Sequence, residues 1–360
     1  MVLFSRATPI ADGGCRRRVR EDIMTDKSKR RARELARRRG TSHQGAVNHQ
    51  RRPLQAVLNA SERDVKLKLE GAAVLNGARV LPKVRLADLV KIEHSGISNT
   101  AYRYALQCHL DFVVVDAETR PLFAVEFDGR GHNSCNDPLK EDLCERFGMP
   151  LARADHRHAD ASARGLDAIE WLAEVYFAHR GAADAQEAGI IPDDEPLDPL
   201  MMAGWLRSSE PFPLCLAAEV AVRAERLFKA GQIASPYLFH VAFGDGRGRA
   251  TAMTTLRVAR DRFLAVRETI YLRGFGIGAG GAAAELAMAQ VGPLLSAHLD
   301  GQDVAVGGAS AYENLLAVAK MGQFEGGGGF TSDPEDFTFD LLGPGGDRIA
   351  RIVPPETLVH

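Results

Sequence analysis

The sequence is short of cysteine and of long apolar runs, and each shortage excludes a class of protein. Its five cysteines are irregularly spaced and form no Cys-x-x-Cys pair, which argues against a disulfide scaffold and against a zinc ribbon. No run of about 18 apolar residues is present, so we expect no membrane-spanning helix. The N-terminal residues contain no apolar stretch typical of a secretory signal. We therefore expect a cytoplasmic location.

Charge of one sign is concentrated at the N-terminus, and the formal net charge of −2 conceals it. Residues 1–55 hold 15 Lys and Arg against 5 Asp and Glu, so the remaining residues carry a surplus of acids. The arm 1–52 is rich in arginine and poor in apolar residues, and we expect it to be disordered. Two interpretations stay open: an arm that binds nucleic-acid phosphates, or a solvated leader with Met24 as the true start.

After the arm, apolar runs alternate with helix signals, which is typical of an α/β (α+β) protein. We expect a first domain over residues 53–180 and an acidic, proline-bearing linker over 181–199. A second α/β domain of uncertain function would follow over residues 200–360. No internal repeat is evident.

The clearest local signal is a predicted hairpin in which the apolar runs FVVV and LFAV flank a short polar turn. If Asp116 and Pro121 close that turn, Asp111 lies opposite Glu126, and Asp128 joins the same face two residues later. Three carboxylates so placed repel one another unless a cation lies between them, and Mg²⁺ or Mn²⁺ would suit such oxygen ligands. A metal there could activate a water against a phosphodiester. The alternative is a solvent-facing acidic edge.

The same residues carry a resemblance to a known family. The pattern consists of Asp111-Phe-Val-Val-Val, then Val-Glu126-Phe-Asp128-Gly129-x-x-His132, then Asp137, Lys140 and the segment GMPLARA. It is similar to the domain-of-unknown-function family 2726, of the PD-(D/E)xK nuclease-like superfamily, over about residues 54–179. The resemblance implies a restriction-endonuclease-like mixed sheet flanked by helices. It also implies a magnesium-dependent endonuclease that acts on DNA, with RNA as the alternative substrate, or an inactive nucleic-acid-binding relative.

For the site, the resemblance implies a set of metal ligands. Asp111 and Glu126 would hold the metal, and Glu62 would be an accessory acid on the first helix. The backbone carbonyl of Phe127 would be a further ligand.

The catalytic lysine of the superfamily is missing from its usual position, where this sequence has Asp128. Lys140 on the next helix could reach back to replace that lysine, or His132 could act as a general acid. Arg153, near the end of a predicted strand, could contact phosphate or pair with an acid. A structural zinc site is a further interpretation, and its ligands would come from His132, Cys135, Cys144, His156 and His158.

A glycine-rich loop in the second half has three interpretations. Arg273, Gly274, Gly276 and Gly278 form R-G-F-G-I-G, which is similar to the acetyl-CoA pyrophosphate loop of GCN-five-related N-acetyltransferases. That resemblance implies an alternative function, an acyl-CoA-dependent N-acetyltransferase in residues 236–353. The same glycines mimic a dinucleotide-binding fingerprint. They could also simply allow tight packing of helix on strand.

Overall fold

The computed structural model describes residues 55–129, 137–160, 162–163, 166–204, 212–329, 331–342 and 349–358. In the basic arm it describes only Arg30, Arg31, Arg33, Glu34 and Arg37, which are helical and exposed. The chain divides into two compact units, residues 1–57 and 58–360. His132 and Cys135 lie outside the described residues. No helix within the described ranges is long and apolar enough to cross a membrane.

The second unit alternates strands and helices along most of its length. Its described helices are α1 (Ala60–Leu75), α2 (Leu86–Leu89), α3 (Asn99–Ala105), α4 (Asp137–Arg146), α5 (His156–Asp160), α6 (Ala168–Glu187), α7 (Ala217–Lys229), α8 (Ala279–Leu299) and α9 (Gly308–Ala319). Short 3-10 turns lie at Pro199–Met201 and Glu356–Leu358. The longer strands are β1 (Arg79–Arg85), β2 (His109–Val115), β3 (Pro121–Asp128), β4 (Leu151–Asp155), β9 (Leu238–Gly244), β10 (Arg249–Ala259), β11 (Arg262–Arg273), β13 (Gln323–Gly328), β14 (Thr338–Leu342) and β15 (Ile349–Val353). The two-residue strands are β5 (Ser162–Ala163), β6 (Leu166–Asp167), β7 (Ala203–Gly204), β8 (Phe212–Pro213) and β12 (Val306–Gly307).

One mixed sheet runs through both halves of this unit. Its strand order in the described part of the chain is β1-β2-β3-β4-β11-β10-β9-β13, with β12 pairing with β11 away from that path. The pair β3 and β4 is parallel, and the other neighbours in this sheet are antiparallel. The expected mixed sheet flanked by helices is confirmed.

Helices cover both faces of the sheet because its central strands are apolar on both sides. In β2, Phe112 and Val114 pack in a core with residues of α1 and α6, whereas Val113 and Val115 pack in a second core with residues of α2, α3 and α4. Such two-sided burial explains why the sequence of β2 reads as a continuous apolar run rather than an alternating one. A third core joins α9 to β9 and β10.

The hairpin register is confirmed over the pairs Phe112–Val125, Val113–Ala124 and Val114–Phe123. The turn differs by one residue, because an irregularity after Val114 pairs Val115 with Pro121. Asp116 therefore lies in the turn, where its backbone N–H donates to Arg120 O at 3.0 Å. At the other end, the paired ladder ends at Phe112, so Asp111 and Glu126 lie just beyond its last pair.

The expected linker at 181–199 does not interrupt the sheet. Helix α6 continues into this segment and ends at Glu187. Strand β4 precedes the segment and β11 follows it, and the two strands pair through Tyr271–Arg153, Leu272–Ala152 and Arg273–Leu151. The composition of segment 181–199 could not predict this pairing, because it joins residues far apart in the sequence. The division of the chain into two functional parts stays a prediction.

Candidate active site

The carboxylates of Asp111 and Glu126 lock the open end of the hairpin together. The Asp111 backbone N–H donates to Glu126 Oε1 at 3.1 Å, and the Phe127 backbone N–H donates to Asp111 Oδ2 at 3.0 Å. Each side chain thus takes a hydrogen bond from the opposite strand, where the backbone ladder would otherwise continue. The expected juxtaposition of the two acids is present in the structure.

Lys83 links Asp111 to Glu62. Strand β1 pairs with β2 through Pro82–Phe112 and Val84–Leu110, which places Lys83 directly across from Asp111. Its Nζ lies 2.6 Å from Asp111 Oδ1 and 2.7 Å from Glu62 Oε1. Burial lowers the pKa of Lys83, but its hydrogen bonds to Asp111 and Glu62 outweigh burial and raise that pKa above its ordinary value.

Glu62 reaches the cluster because of the way α1 begins. Asn59 caps the helix, and its side chain accepts from the Glu62 backbone N–H at 2.9 Å. In return, Glu62 Oε2 accepts from the Asn59 backbone N–H at 2.8 Å. This reciprocal capping box fixes the Glu62 side chain and leaves its other oxygen to Lys83.

Lys140 of α4 supplies the second cation. Its Nζ lies 2.5 Å from Glu126 Oε2 and 3.0 Å from the carbonyl oxygen of His109. Glu126 is only 2% exposed. Burial raises the pKa of Glu126, and the ion pair with Lys140 opposes that effect. The expected reach of Lys140 back to the hairpin is therefore seen in the structure.

Asp128 is held by Arg153 of the neighbouring strand. Arg153 Nη2 lies 2.7 Å from Asp128 Oδ1, and its Nε lies 3.2 Å from Asp128 Oδ2. The same guanidinium lies 2.8 Å from Asp137 and 3.5 Å from Glu141, both on α4. Of the two interpretations of Arg153, the structure shows acid pairing, and this pairing fixes α4, with Lys140, against the sheet.

The oxygen donors that a metal would use are already engaged by protein groups. Asp111 gives one oxygen to Lys83 and the other to a backbone amide, and Glu126 gives its two oxygens to a backbone amide and to Lys140. Within the described residues, no group of three or more His, Cys, Asp or Glu side chains is arranged to hold a metal ion. The donors suit Mg²⁺ in kind, but their described arrangement does not fit one unless a lysine moves.

Two residues of the zinc interpretation, Cys144 and His158, are buried in the described structure. Cys144 lies on α4, and its side chain is buried in the second core. His158 is buried on α5, with its Nδ1 accepting from the Asp155 backbone N–H at 3.0 Å and its Nε2 at 3.5 Å from Glu268 Oε2. These contacts are with carboxylates and backbone, and the ligand set expected for zinc includes residues outside the described part of the chain.

Residues 54–171 match the family described as "Protein of unknown function (DUF2726)". The matched segment is about a third of the chain. It contains all five charged residues that meet at the hairpin end and together form the hairpin cluster: Glu62, Lys83, Asp111, Glu126 and Lys140. No curated protein and no solved structure matches the chain.

The glycine-rich loop between β11 and α8 is closely packed. Gly274 and Gly276 have φ of +77° and +78°, which favours glycine. A Cβ on Gly276 would lie 2.1 Å from the His179 ring, and Phe275 is fully buried against Tyr176.

At the start of α8, the Gly280 backbone N–H donates to Glu325 Oε2 at 2.9 Å. These contacts favour the packing interpretation, because a carboxylate of the protein already holds an amide that an acyl-CoA pyrophosphate would need. Arg273 has its own partners, an ion pair with Glu145 and a hydrogen bond to the Arg247 carbonyl at 3.3 Å, and Gly278 caps α8.

Sequence reasoning missed Lys83, the residue that joins two of the three acids. Its signal was weak, because the segment around it predicts only an extended strand. Its partner Asp111 lies 28 residues later in the chain, beyond two helices. Only the register between β1 and β2 reveals the contact.

Proposed function

We propose that residues 53–180 contain the active site of a divalent-metal-dependent nuclease of the PD-(D/E)xK type, with DNA as the substrate rather than RNA. The observation that carries the proposal is the convergence of three acids and two lysines at the open end of the hairpin. They come from five different elements: Glu62 from α1, Lys83 from β1, Asp111 from β2, Glu126 from β3 and Lys140 from α4.

A functional role explains why the fold keeps charge in this place. Glu126 is buried, and burying a carboxylate is costly even when an ammonium accompanies it. A well-packed apolar pair would hold the hairpin end and α4 together at lower cost. Perturbed ionisable groups that converge from several elements are typical of catalytic sites.

The roles we propose follow from the contacts of each side chain. Lys140, already placed beside Glu126, would stabilise negative charge that develops on a phosphodiester oxygen. Glu126 and Asp111 would orient the attacking water and, with Glu62, are the ligands we propose for Mg²⁺ or Mn²⁺. When bound, the metal would supply Lewis-acid polarisation of the phosphodiester. In the described arrangement, Lys83 and Lys140 contact oxygens that a metal would need, so metal binding requires a lysine to move.

Two further residues belong to the proposal in different ways. Asp128 supports the site through Arg153, which also binds α4. His132 stays a proposed general acid and lies outside the described residues. The basic arm 1–52 would add phosphate affinity that is independent of sequence and weakens as salt concentration rises.

The test is cleavage by the purified full chain. Supercoiled plasmid and a single-stranded DNA are incubated with Mg²⁺ or Mn²⁺, using the wild type and the variants Asp111→Ala and Glu126→Ala. We expect metal-dependent cleavage that both variants lose. Asp116→Ala is the matched control, because Asp116 is an ion-paired acid at the opposite end of the same hairpin. Cleavage that survives both active-site variants would show that the assignment is wrong.

The competing function is nucleic-acid binding without catalysis. Lys83 and Lys140, which are ion-paired with the acids of the cluster, also permit this function. It predicts salt-sensitive binding to the same DNA with no cleavage under either metal. In that case, Asp111→Ala and Glu126→Ala would leave the affinity for DNA unchanged or would raise it by removing negative charge.

A further inference from the structure

Lys83 occupies the place between Glu62 and Asp111 that a shared cation would take. Its Nζ contacts one oxygen of each carboxylate, at 2.7 Å and 2.6 Å. A divalent cation bonded to the same two oxygens at the ~2.1 Å typical of Mg²⁺ would lie against this ammonium, where like charges repel. The two cations therefore compete for one pair of carboxylates.

The backbone of β1 is specialised to hold Lys83 there. Lys83 has φ of +55°, in the left-handed region, although the pairs on either side of it keep one unbroken register with β2. A residue with a side chain rarely adopts this conformation inside a strand, because its Cβ crowds the backbone. Strain at a single position of a regular strand is typical of functional sites.

Of the two lysines in the cluster, Lys83 is the one suited to exchange. Lys140 is 13% exposed and is fixed by Glu126 and by the His109 carbonyl. Lys83 is 30% exposed, and both of its acid partners are themselves accessible to solvent. An ammonium is a compact point charge on a flexible stem, so it can leave a carboxylate pair without unfolding its surroundings.

We infer that Lys83 is the internal counter-ion of the Glu62–Asp111 pair and that a divalent cation binds this pair only by displacing the Lys83 ammonium. This inference concerns the same cluster as the proposed function, but it does not require that the protein cut nucleic acid. It predicts that the wild type binds a divalent cation weakly and that removing the Lys83 charge opens a tighter site at Glu62 and Asp111.

The test measures Mn²⁺ binding to the full chain by isothermal titration calorimetry at low ionic strength. The variants are Lys83→Met and Lys83→Gln, and circular dichroism establishes which of them are folded. The glutamine keeps a hydrogen-bond donor between the two carboxylates, so it is the milder change. We expect each folded variant to bind Mn²⁺ at least tenfold more tightly than the wild type.

Two controls locate the effect. Lys66→Met removes a lysine of similar exposure whose partner, Glu70, lies on the same helix, and it should leave Mn²⁺ affinity within twofold of the wild type. Adding Asp111→Asn to Lys83→Met should abolish the gain. Affinities of the folded Lys83 variants within twofold of the wild type would overturn the inference, and so would a gain that survives Asp111→Asn. A protein that shows the gain but cuts no nucleic acid would refute the proposed nuclease and leave this inference standing.

Discussion

Two clusters of three carboxylates in this molecule are neutralised in opposite ways. At the hairpin end, acids from α1, β2 and β3 share two lysines from two further elements. In the C-terminal half, the single guanidinium of Arg257 on β10 binds Asp333, Glu335 and Asp336, which lie within four consecutive residues. Arg257 is only 4% exposed. Its Nε lies 2.7 Å from Asp336 and its Nη1 lies 2.6 Å from Glu335.

The two kinds of cation suit different tasks. A guanidinium is planar and always charged, and it forms several directed hydrogen bonds at once, so Arg257 fixes segment 333–336 to the sheet. The lysines of the hairpin cluster each contact acids from other elements, and Lys83 remains partly accessible to solvent. The Arg257 cluster is a structural clamp, whereas we propose that the hairpin cluster can exchange a cation.

The largest expected effect on stability comes from breaking the clamp. Arg257→Met would leave buried Asp336 without its cation, and we expect the free energy of unfolding to fall by about 3–5 kcal/mol. Urea denaturation followed by circular dichroism measures the change. Arg260→Met is the control, because Arg260 is exposed and lies 4.0 Å from Glu335. A loss below about 1 kcal/mol would mean that Arg257 is not a clamp.

Arg153 should rank next, because its ion pairs tie α4 to the sheet. We expect Arg153→Met to lower the free energy of unfolding by about 3 kcal/mol. The substitution should also loosen the contact of α4 with the sheet. The buried thiol of Cys144, which lies on α4, would then become more accessible to solvent. Burial raises the pKa of the Cys144 thiol to about 12, so it should react slowly with iodoacetamide at pH 8 in the wild type. We expect alkylation at least tenfold faster in Arg153→Met, and an unchanged rate would contradict this role. Arg157→Met, at an exposed pair with Asp155, is the control.

Lys83 should matter little for stability. Because its ion pairs are partly open to water, we expect Lys83→Met to cost at most about 1 kcal/mol in the free energy of unfolding. Urea denaturation beside Arg257→Met makes the comparison direct. Equal losses in the two variants would show that the lysine bridge is a clamp as well.

The smallest expected effect on stability comes from substituting Glu268. This acid is buried, and its Oε2 has no hydrogen-bond partner among the described residues. Burial raises the pKa of Glu268, and His158 opposes that effect. Between the unfolded and the folded pKa of Glu268, the folded protein therefore keeps a proton that the unfolded chain releases. This contribution to stability is complete below the unfolded pKa of about 4.3 and is lost as the pH rises through the folded pKa.

The variant Glu268→Gln removes this titration. We expect it to be more stable than the wild type at pH 7, by less than about 1 kcal/mol, and the difference should vanish below pH 4. Urea denaturation of both proteins across this pH range measures it. A difference that does not depend on pH would contradict the assigned cause.

The sequence predicts the parts of the site that are local in the chain. The register that brings Asp111 to Glu126 follows from a turn closed by Asp116 and Pro121, and the strands keep it although the observed turn is one residue longer. Lys140 lies on the next helix. The place of Lys83 could not be predicted, because it depends on pairing between strands separated by α2 and α3. Likewise, Arg153 joins acids of β3 and α4 whose positions depend on the tertiary packing of that helix.

The assembly of the C-terminal half could not be predicted from the sequence. The pairing of β4 with β11 joins residues more than 100 positions apart, so no local pattern indicates one continuous sheet. The EGGGGF segment looks like a loop from its glycines, yet most of it lies in β13, where Gly326, Gly327 and Gly328 pair with β9. Pairing with an apolar neighbour overrides the weak strand preference of glycine.

We propose that the hairpin cluster is a catalytic site and that the Arg257 cluster is not. The most direct measurement is the initial rate of Mg²⁺-dependent plasmid cleavage by two isosteric variants, Glu126→Gln in the hairpin cluster and Glu335→Gln in the clamp. We predict a rate lower than the wild type by on the order of 100-fold for folded Glu126→Gln, and a rate within threefold of the wild type for Glu335→Gln. Equal rates in the two variants would contradict the claim.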